Sequence, residues 1–552
     1  MSGQFINRKT IGEDLTAGLV LGIQSIPDGL ANGLLALINP IYGLYGYMMG
    51  TFSGAFFTSS TFMSIQATSA MALVVASVPQ VTQGPSPNAP LFTLAILTGL
   101  FMLLAGLFKL GSLVRFVPNA VMTGFVNAVA VLIILGQLDD FTGYSSSGGN
   151  RIARTFDLLQ NLEQVHLPTL MVGILTIILI LTLEKTSLKA LGMVVAIVVA
   201  SLAVPLVGAD AVTLVRDVAD IPSSLPRPAL PSLEAVPGLI IPALALAFVG
   251  LMQGAGITQS IPNPDGRYPD ASGDFVGQGV ANVVSGLFQG TAVGGSLSAT
   301  ALVVGAGARS RLANISAGLV MALAILFFGR FVGLIAMPVL AGLLIVVGFR
   351  TLKPAQIGMV WKTGLVQQAV MGLTFLAALF IPLQYAVLLG VALAVLLFVF
   401  QQSNKVTVKA WEIGPGQYPV EGEPPTAVPA QQATILMPYG SLFYAAAPVF
   451  SQQLPEVTEA TRHAVVILTL RGQKEVGSTF LKVLAQYANQ LHQQESKLML
   501  AGVEPYVLTQ MERTGILRTI GRENVFPVSE GVGTALLQAV EAAETWIAAQ
   551  AS

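Results

Sequence analysis

The sequence predicts an all-α polytopic membrane domain of fourteen segments, built as a seven-plus-seven inverted repeat and followed by a cytoplasmic α/β domain. Three observations predict it. The 552 residues are 53% hydrophobic and only 10% charged, with a mean hydropathy of +0.73, whereas soluble domains carry roughly 25% charged residues. The character of the chain changes near residue 400, from long apolar runs to a soluble pattern. The apolar part also repeats itself in reversed topology.

The first seven spans fall near 12–37, 43–62, 66–78, 91–109, 116–137, 168–183 and 187–208. The second seven fall near 237–258, 274–290, 297–306, 312–329, 332–349, 352–364 and 366–400, the last long enough to bend at Pro382. The transport domain is thus 1–402, with repeat one about 12–210 and repeat two about 235–402. The segments 66–78 and 297–306 are too short for the roughly 20 residues of a full span. A Pro- and Gly-rich linker at 403–430 follows. The remainder, 431–552, alternates strands ("ATILMPYG", "AVVILTL", "KLMLAGV") with helices ("STFLKVLAQYANQLHQQE", "PYVLTQMERTG", "GTALLQAVEAAETWIAA"), the pattern of one α/β domain.

Positive residues set the orientation. With Arg8 and Lys9 inside, the even-to-odd loops carry Lys109/Arg115, Lys185/Lys189, Arg267, Arg309/Arg311 and Arg350/Lys353. Both termini are therefore expected in the cytoplasm of a cell with an inner membrane. The net charge of −1 and the lack of a basic stripe speak against nucleic acid. The chain has no cysteine, and His166, His463 and His492 make no metal-ligand spacing. No cofactor, metal or nucleophile–base set is expected, so enzyme chemistry is the least fitting reading.

Two features suggest transport. Asp28, in "IPDGLANG", stands in the first span with apolar residues on both sides, and intramembrane carboxylates usually mark a substrate or proton path. A capping role beside Pro27 is the plain alternative. The second feature is the repeat. "GLFMLLAGLFKLGSLVRFVPNAVMTG" from Gly99 echoes "GLVMALAILFFGRFVGLIAMPVLAG" from Gly318, and "SIQATSAMALVV" from Ser64 echoes "SLSATALVV" from Ser296. Seven spans separate the copies, and an odd number inverts them. Two short half-helices would then point their N-termini at one central place, a geometry suited to an anion. The same small residues could instead be packing surfaces.

These residues, with "INPIYGLYG" and "GQGVANVVSGLFQGTAVGGSLSATALVVGAGARSRLA", resemble the SulP anion transporters, the sulfate permease family, with a C-terminal STAS domain. The resemblance implies core and gate domains, a homodimer, and substrate held between the ends of the third and tenth helices. It points to Ala67, Thr68 and Ser69 on one side and Ser296, Leu297, Ser298 and Ala299 on the other. Gln24, Asp28 and Asn32 of the first helix would line the same cavity. Family members often carry an acid on the eighth helix; here Gln253 stands there, and the register sets Asp28 opposite it. Asp28 then becomes the candidate proton-coupling residue, with sodium the less fitting partner. In the STAS-like domain, Ser478 takes the place of a phosphorylated serine of related regulators, with Gly477 where their aspartate lies; an N-cap is the plain reading of Ser478.

The function expected is proton-coupled symport of a small anion, a dicarboxylate such as succinate or fumarate, or bicarbonate or sulfate. An uncoupled or exchange-mode transporter of chloride, bicarbonate or sulfate is the alternative. A membrane-anchored STAS scaffold for cytosolic partners is a third reading.

Overall fold

The computed structural model describes residues 10–83, 88–112, 117–188, 191–205, 212–219, 222–413 and 418–551. Arg8, Lys9, Arg115 and Lys189 lie outside the described residues. The chain divides into two compact units, the boundary falling at Ala392/Leu393.

The first unit is helical. Its principal helices are α1 (Ile11–Leu35), α2 (Pro40–Phe57), α3 (Ser69–Ala76), α4 (Asn88–Leu107), α5 (Asn119–Gly136), α6 (Leu167–Leu183) and α7 (Leu191–Leu202). The second set is α8 (Val236–Ser260), α9 (Ala271–Leu287), α10 (Leu297–Gly305), α11 (Leu312–Val332), α12 (Met337–Thr351), α13 (Leu365–Phe380) and α14 (Leu383–Ser403). Six stretches among the described residues are long and apolar enough to cross a membrane by themselves.

Two expected boundaries shift. The stretch 352–364 is not a span of its own. Its helix, Pro354–Thr363, has 10 residues and completes the apolar run that α12 begins, Met337–Thr363. The long last stretch is two helices, α13 and α14, parted at Ile381–Pro382. The two shifts cancel, so the total of fourteen stands.

The helices sort into two bundles. α1–α4 pack with α8–α11, while α5–α7 pack with α12 and α13. Bare backbone lets the first bundle close tightly: a Cβ on Gly43 would lie 2.2 Å from the carbonyl oxygen of Gly29, and one on Gly99 2.5 Å from that of Gly279. Apolar lipid gives helices no hydrophobic reason to associate, so such close contact has to supply it. α1 also touches α7 and α12, and α3 touches α5, so these five helices line the seam between the bundles.

The second unit is α/β. Its six strands are β3 (Thr407–Glu412), β4 (Val420–Gly422), β5 (Ala433–Tyr439), β6 (Val465–Thr469), β7 (Lys497–Val503) and β8 (Val525–Pro527), in the order β4-β3-β5-β6-β7-β8. β5 to β8 run parallel, and β3 is antiparallel to both its neighbours. β3 and β4 lie inside the stretch read as linker. Parallel strands are covered on both faces, and β6 shows it: Val466 and Leu468 pack under α15 (Ser478–Gln493), Val465 and Ile467 under α17 (Thr534–Ala551). Between them α16 (Pro505–Arg513) follows β7.

Candidate functional site

The two short echoes meet. Ile65–Gln66 forms β1 and Gly294–Gly295 forms β2, and they pair antiparallel, Ile65 with Gly295 and Gln66 with Gly294. Each strand runs directly into a half-helix. α3 has 8 residues and α10 has 9, and their directions oppose because the strands do. The first N–H groups of any helix have no partner within it. Those of Ser69 and Ala70, and of Leu297 and Ser298, therefore point towards the place where the two strands cross, and the helix dipoles reinforce them.

The caps are built from the predicted residues. Thr68 caps α3, its hydroxyl accepting from the N–H of Met71 at 3.4 Å and donating to Oε1 of Gln253 on α8 at 2.8 Å. Ser296 caps α10, accepting from the N–H of Ala299 at 3.3 Å, with the Ser298 hydroxyl 3.2 Å from its own. Leu297 and Ser298 are exposed, Thr68, Ser69 and Gln253 half-buried, and Ala67 and Ala299 buried. The alanines leave the backbone at each end uncovered by a larger side chain.

α1 supplies the third wall. Gln24, Asp28 and Asn32 recur every fourth residue and share one face. The Asn32 amide donates to the Tyr47 hydroxyl at 2.8 Å and to the Asp28 carbonyl at 3.0 Å. Oδ1 of Asn32 and Oε1 of Gln24 are buried without a hydrogen-bond partner. Asp28 is half-buried, and among the described residues no group donates to its carboxylate. The helix runs on unbroken through Pro27, so Asp28 caps nothing. α1 and α8 are both 25 residues long, and Asp28 and Gln253 are each the eighteenth. That is the correspondence expected from the repeat.

Sequence reasoning missed the groups that hold the crossing. Gln66 donates to Ser25 of α1 at 2.8 Å. Gln278 of α9 accepts from the N–H of Gly295 at 3.0 Å, and Asn282 grips both backbone groups of Val293 at 2.8 and 2.6 Å. Asn314 of α11 donates to the carbonyls of Phe62 and Met63 and accepts from the Ser64 hydroxyl at 2.7 Å. Gln278, Asn282 and Asn314 are amides in helices and Gln66 an amide in β1, all within apolar surroundings, which is the signal that could have found them. An ion pair was missed as well: Arg350 at the end of α12 pairs with Glu184 at the end of α6.

In the second unit Gly477, not Ser478, holds the N-cap position of α15. Ser478 is the exposed first residue of the helix, so the capping role expected for it does not apply.

Comparison with known proteins bears on the whole chain. Residues 11–374 match the sulfate permease family and 425–535 the STAS domain. YvdB of Bacillus subtilis is 24% identical over 532 residues, 95% of this chain and 98% of that one. The bicarbonate transporter BicA of Picosynechococcus is 26% identical over 352 residues, 62% of each chain. The structure of the murine Slc26a9 anion transporter shares the fold, with a TM-score of 0.83 over 98% of this chain and 93% of that one at 19% identity. Inverted half-helices, two bundles and a following α/β unit thus have one explanation: the chain belongs to the sulfate permease family of multi-pass membrane anion transporters, which are not enzymes, and carries a STAS domain.

Proposed function

We propose that the chain is a proton-coupled symporter of a small oxyanion, a dicarboxylate such as succinate or fumarate, or bicarbonate or sulfate, acting by alternating access in an inner membrane with both termini cytoplasmic. One observation carries this reading: the Asp28 carboxylate, without a hydrogen-bond donor among the described residues, on a helix wall beside two converging helix N-termini. An unneutralised carboxylate there repels an anion. A proton on Asp28 removes the repulsion, and the bound anion in turn favours the proton, so each raises the other's affinity by the same factor. The free N–H groups of the first turns of α3 and α10 hold the anion.

The two bundles support alternating access. The half-helix ends belong to one and the covering helices α5, α7 and α12 to the other, so sliding one against the other opens the site to either side.

The test is uptake of labelled succinate, fumarate, bicarbonate and sulfate into proteoliposomes, with and without an inward proton gradient. Gradient-driven uptake of one anion is expected, with the drive lost in Asp28→Asn. Uptake indifferent to both the gradient and the substitution would reject coupling and leave an exchanger or uniporter.

A further inference from the structure

Between α5 and α6 the chain makes an excursion whose two ends meet. The N–H of His166 donates to the carbonyl of Thr142 at 2.9 Å. Thr142 ends the apolar run Asn119–Thr142, and His166 immediately precedes α6. The segment between them therefore leaves and rejoins one membrane surface at a single level. It carries a helix, Arg151–Gln160, capped by Asn150, whose side chain accepts from the N–H of Ala153 at 2.8 Å.

The two sides of this helix differ. One is fastened to the protein: Asp157 accepts from the Tyr144 hydroxyl at 3.0 Å and from the N–H of Ser147 at 2.8 Å, Arg154 lies 3.9 Å from Asp139, and Leu158 is buried. The other side is apolar and open. Ile152, Phe156 and Leu159 follow the i, i+4, i+7 spacing of a single face, and Phe156 and Leu159 are 61% and 58% exposed. The helix does not stand clear of the membrane. It packs on α5, and a Cβ on Gly136 would lie 2.9 Å from Nε of Arg151. Gly136 is the last residue of α5 and lies inside the apolar run. The open face also continues a second one: on α6, Leu167, Met171 and Ile174 are exposed at the same spacing.

We propose that the helix Arg151–Gln160 lies in the membrane–water interface, with Ile152, Phe156 and Leu159 set into the boundary between lipid headgroups and acyl chains. Its partner is the bilayer itself. Helices that lie in this plane carry basic residues on the polar side and Phe or Leu on the other, and Arg151 and Arg154 against Phe156 and Leu159 keep to that division. Because the helix packs on α5, it ties the bundle of α5–α7, and not the bundle of the half-helices, to one membrane surface. The inference stands apart from the transport reading: it holds whichever anion the chain carries.

The chain has no cysteine, so Phe156→Cys, Leu159→Cys and Arg154→Cys can each be spin-labelled at one site in the full chain. In lipid vesicles, collision of each label with oxygen, which concentrates in the bilayer, is compared with collision with a water-soluble nickel chelate. The oxygen-to-chelate ratio should be several-fold higher at positions 156 and 159 than at 154. Equal ratios at the three positions overturn the proposal, since no face is then set into lipid. Labels at 156 and 159 shielded from both reagents overturn it as well: protein then covers the face, and magnetic coupling between labels would identify that protein as a second copy of the chain. Elution in size exclusion checks the folding of each variant, and Phe156→Cys and Leu159→Cys report independently, so either decides alone.

Discussion

Replacing Asn314 with leucine tests whether the crossing of β1 and β2 depends on a single buried amide. Asn314 is 1% exposed. Its amide donates to the carbonyls of Phe62 at 3.1 Å and Met63 at 3.2 Å, and its oxygen accepts from the Ser64 hydroxyl at 2.7 Å. Ser64 in turn binds the other half of the chain, its carbonyl accepting from Ser296 at 2.9 Å and its N–H donating to Thr300 at 3.1 Å. Leucine fills nearly the same volume, so little cavity forms. What is lost is three hydrogen bonds, each leaving a buried partner unsatisfied at about 1–2 kcal/mol, or roughly 3–5 kcal/mol together. Ser64→Ala loses only one of the three and leaves the Asn314 Oδ1 without its donor, about 1–2 kcal/mol. Because the sites touch, the double variant should fall short of the sum by on the order of 1 kcal/mol. Equilibrium unfolding of the purified full chain in mixed micelles measures these differences, and anion uptake by the same preparations should show a raised KM for Asn314→Leu. If Asn314→Leu lies within about 1 kcal/mol of wild type and transports with the same KM, the amide does not hold the crossing.

Three further outcomes are expected. Thr68→Val removes the bond to Gln253 and the α3 cap, so KM should rise roughly five- to tenfold for a loss of about 1 kcal/mol, with the response to a proton gradient unchanged; an altered gradient response would show Thr68 acting in coupling. Gly43→Ala drives a Cβ into the Gly29 carbonyl and should abolish the monodisperse fraction in size exclusion, while Gly12→Ala, with nothing within 4 Å, should leave it intact. In the STAS domain, hydrogen bonds from the Tyr439 hydroxyl and the Trp411 indole hold the Glu421 carboxyl below the usual range. A depressed carboxyl contributes its stability above the unfolded pKa and loses it as pH falls through the folded value. The difference in unfolding midpoint between wild type and Glu421→Gln should therefore shrink on acidification, and a constant difference would refute the assignment.

The sequence by itself determined the fold class, the two half-helices and the Asp28–Gln253 correspondence. Hydropathy, span length and an internal repeat are properties of the chain read in order, and a membrane enforces them because every spanning segment has to satisfy its own backbone. The register read from the echo, Ser64 against Ser296, is off by four residues: the matching caps are Thr68 and Ser296, and Ser64 precedes its strand where Ser296 follows its own. Tertiary structure decided which residues hold that site. Asn314 reaches Phe62, Met63 and Ser64 across some 250 residues, Gln66 reaches Ser25 on a different helix, and α1 proved continuous through Pro27. Lys353 shows the division plainly: beside Pro354 it looks like a loop cation, and only the packing shows its N–H donating to Asn127, the ninth residue of α5. Depth and partnership depend on where a helix breaks and what it packs against, and the packing of distant segments leaves no local periodicity to read.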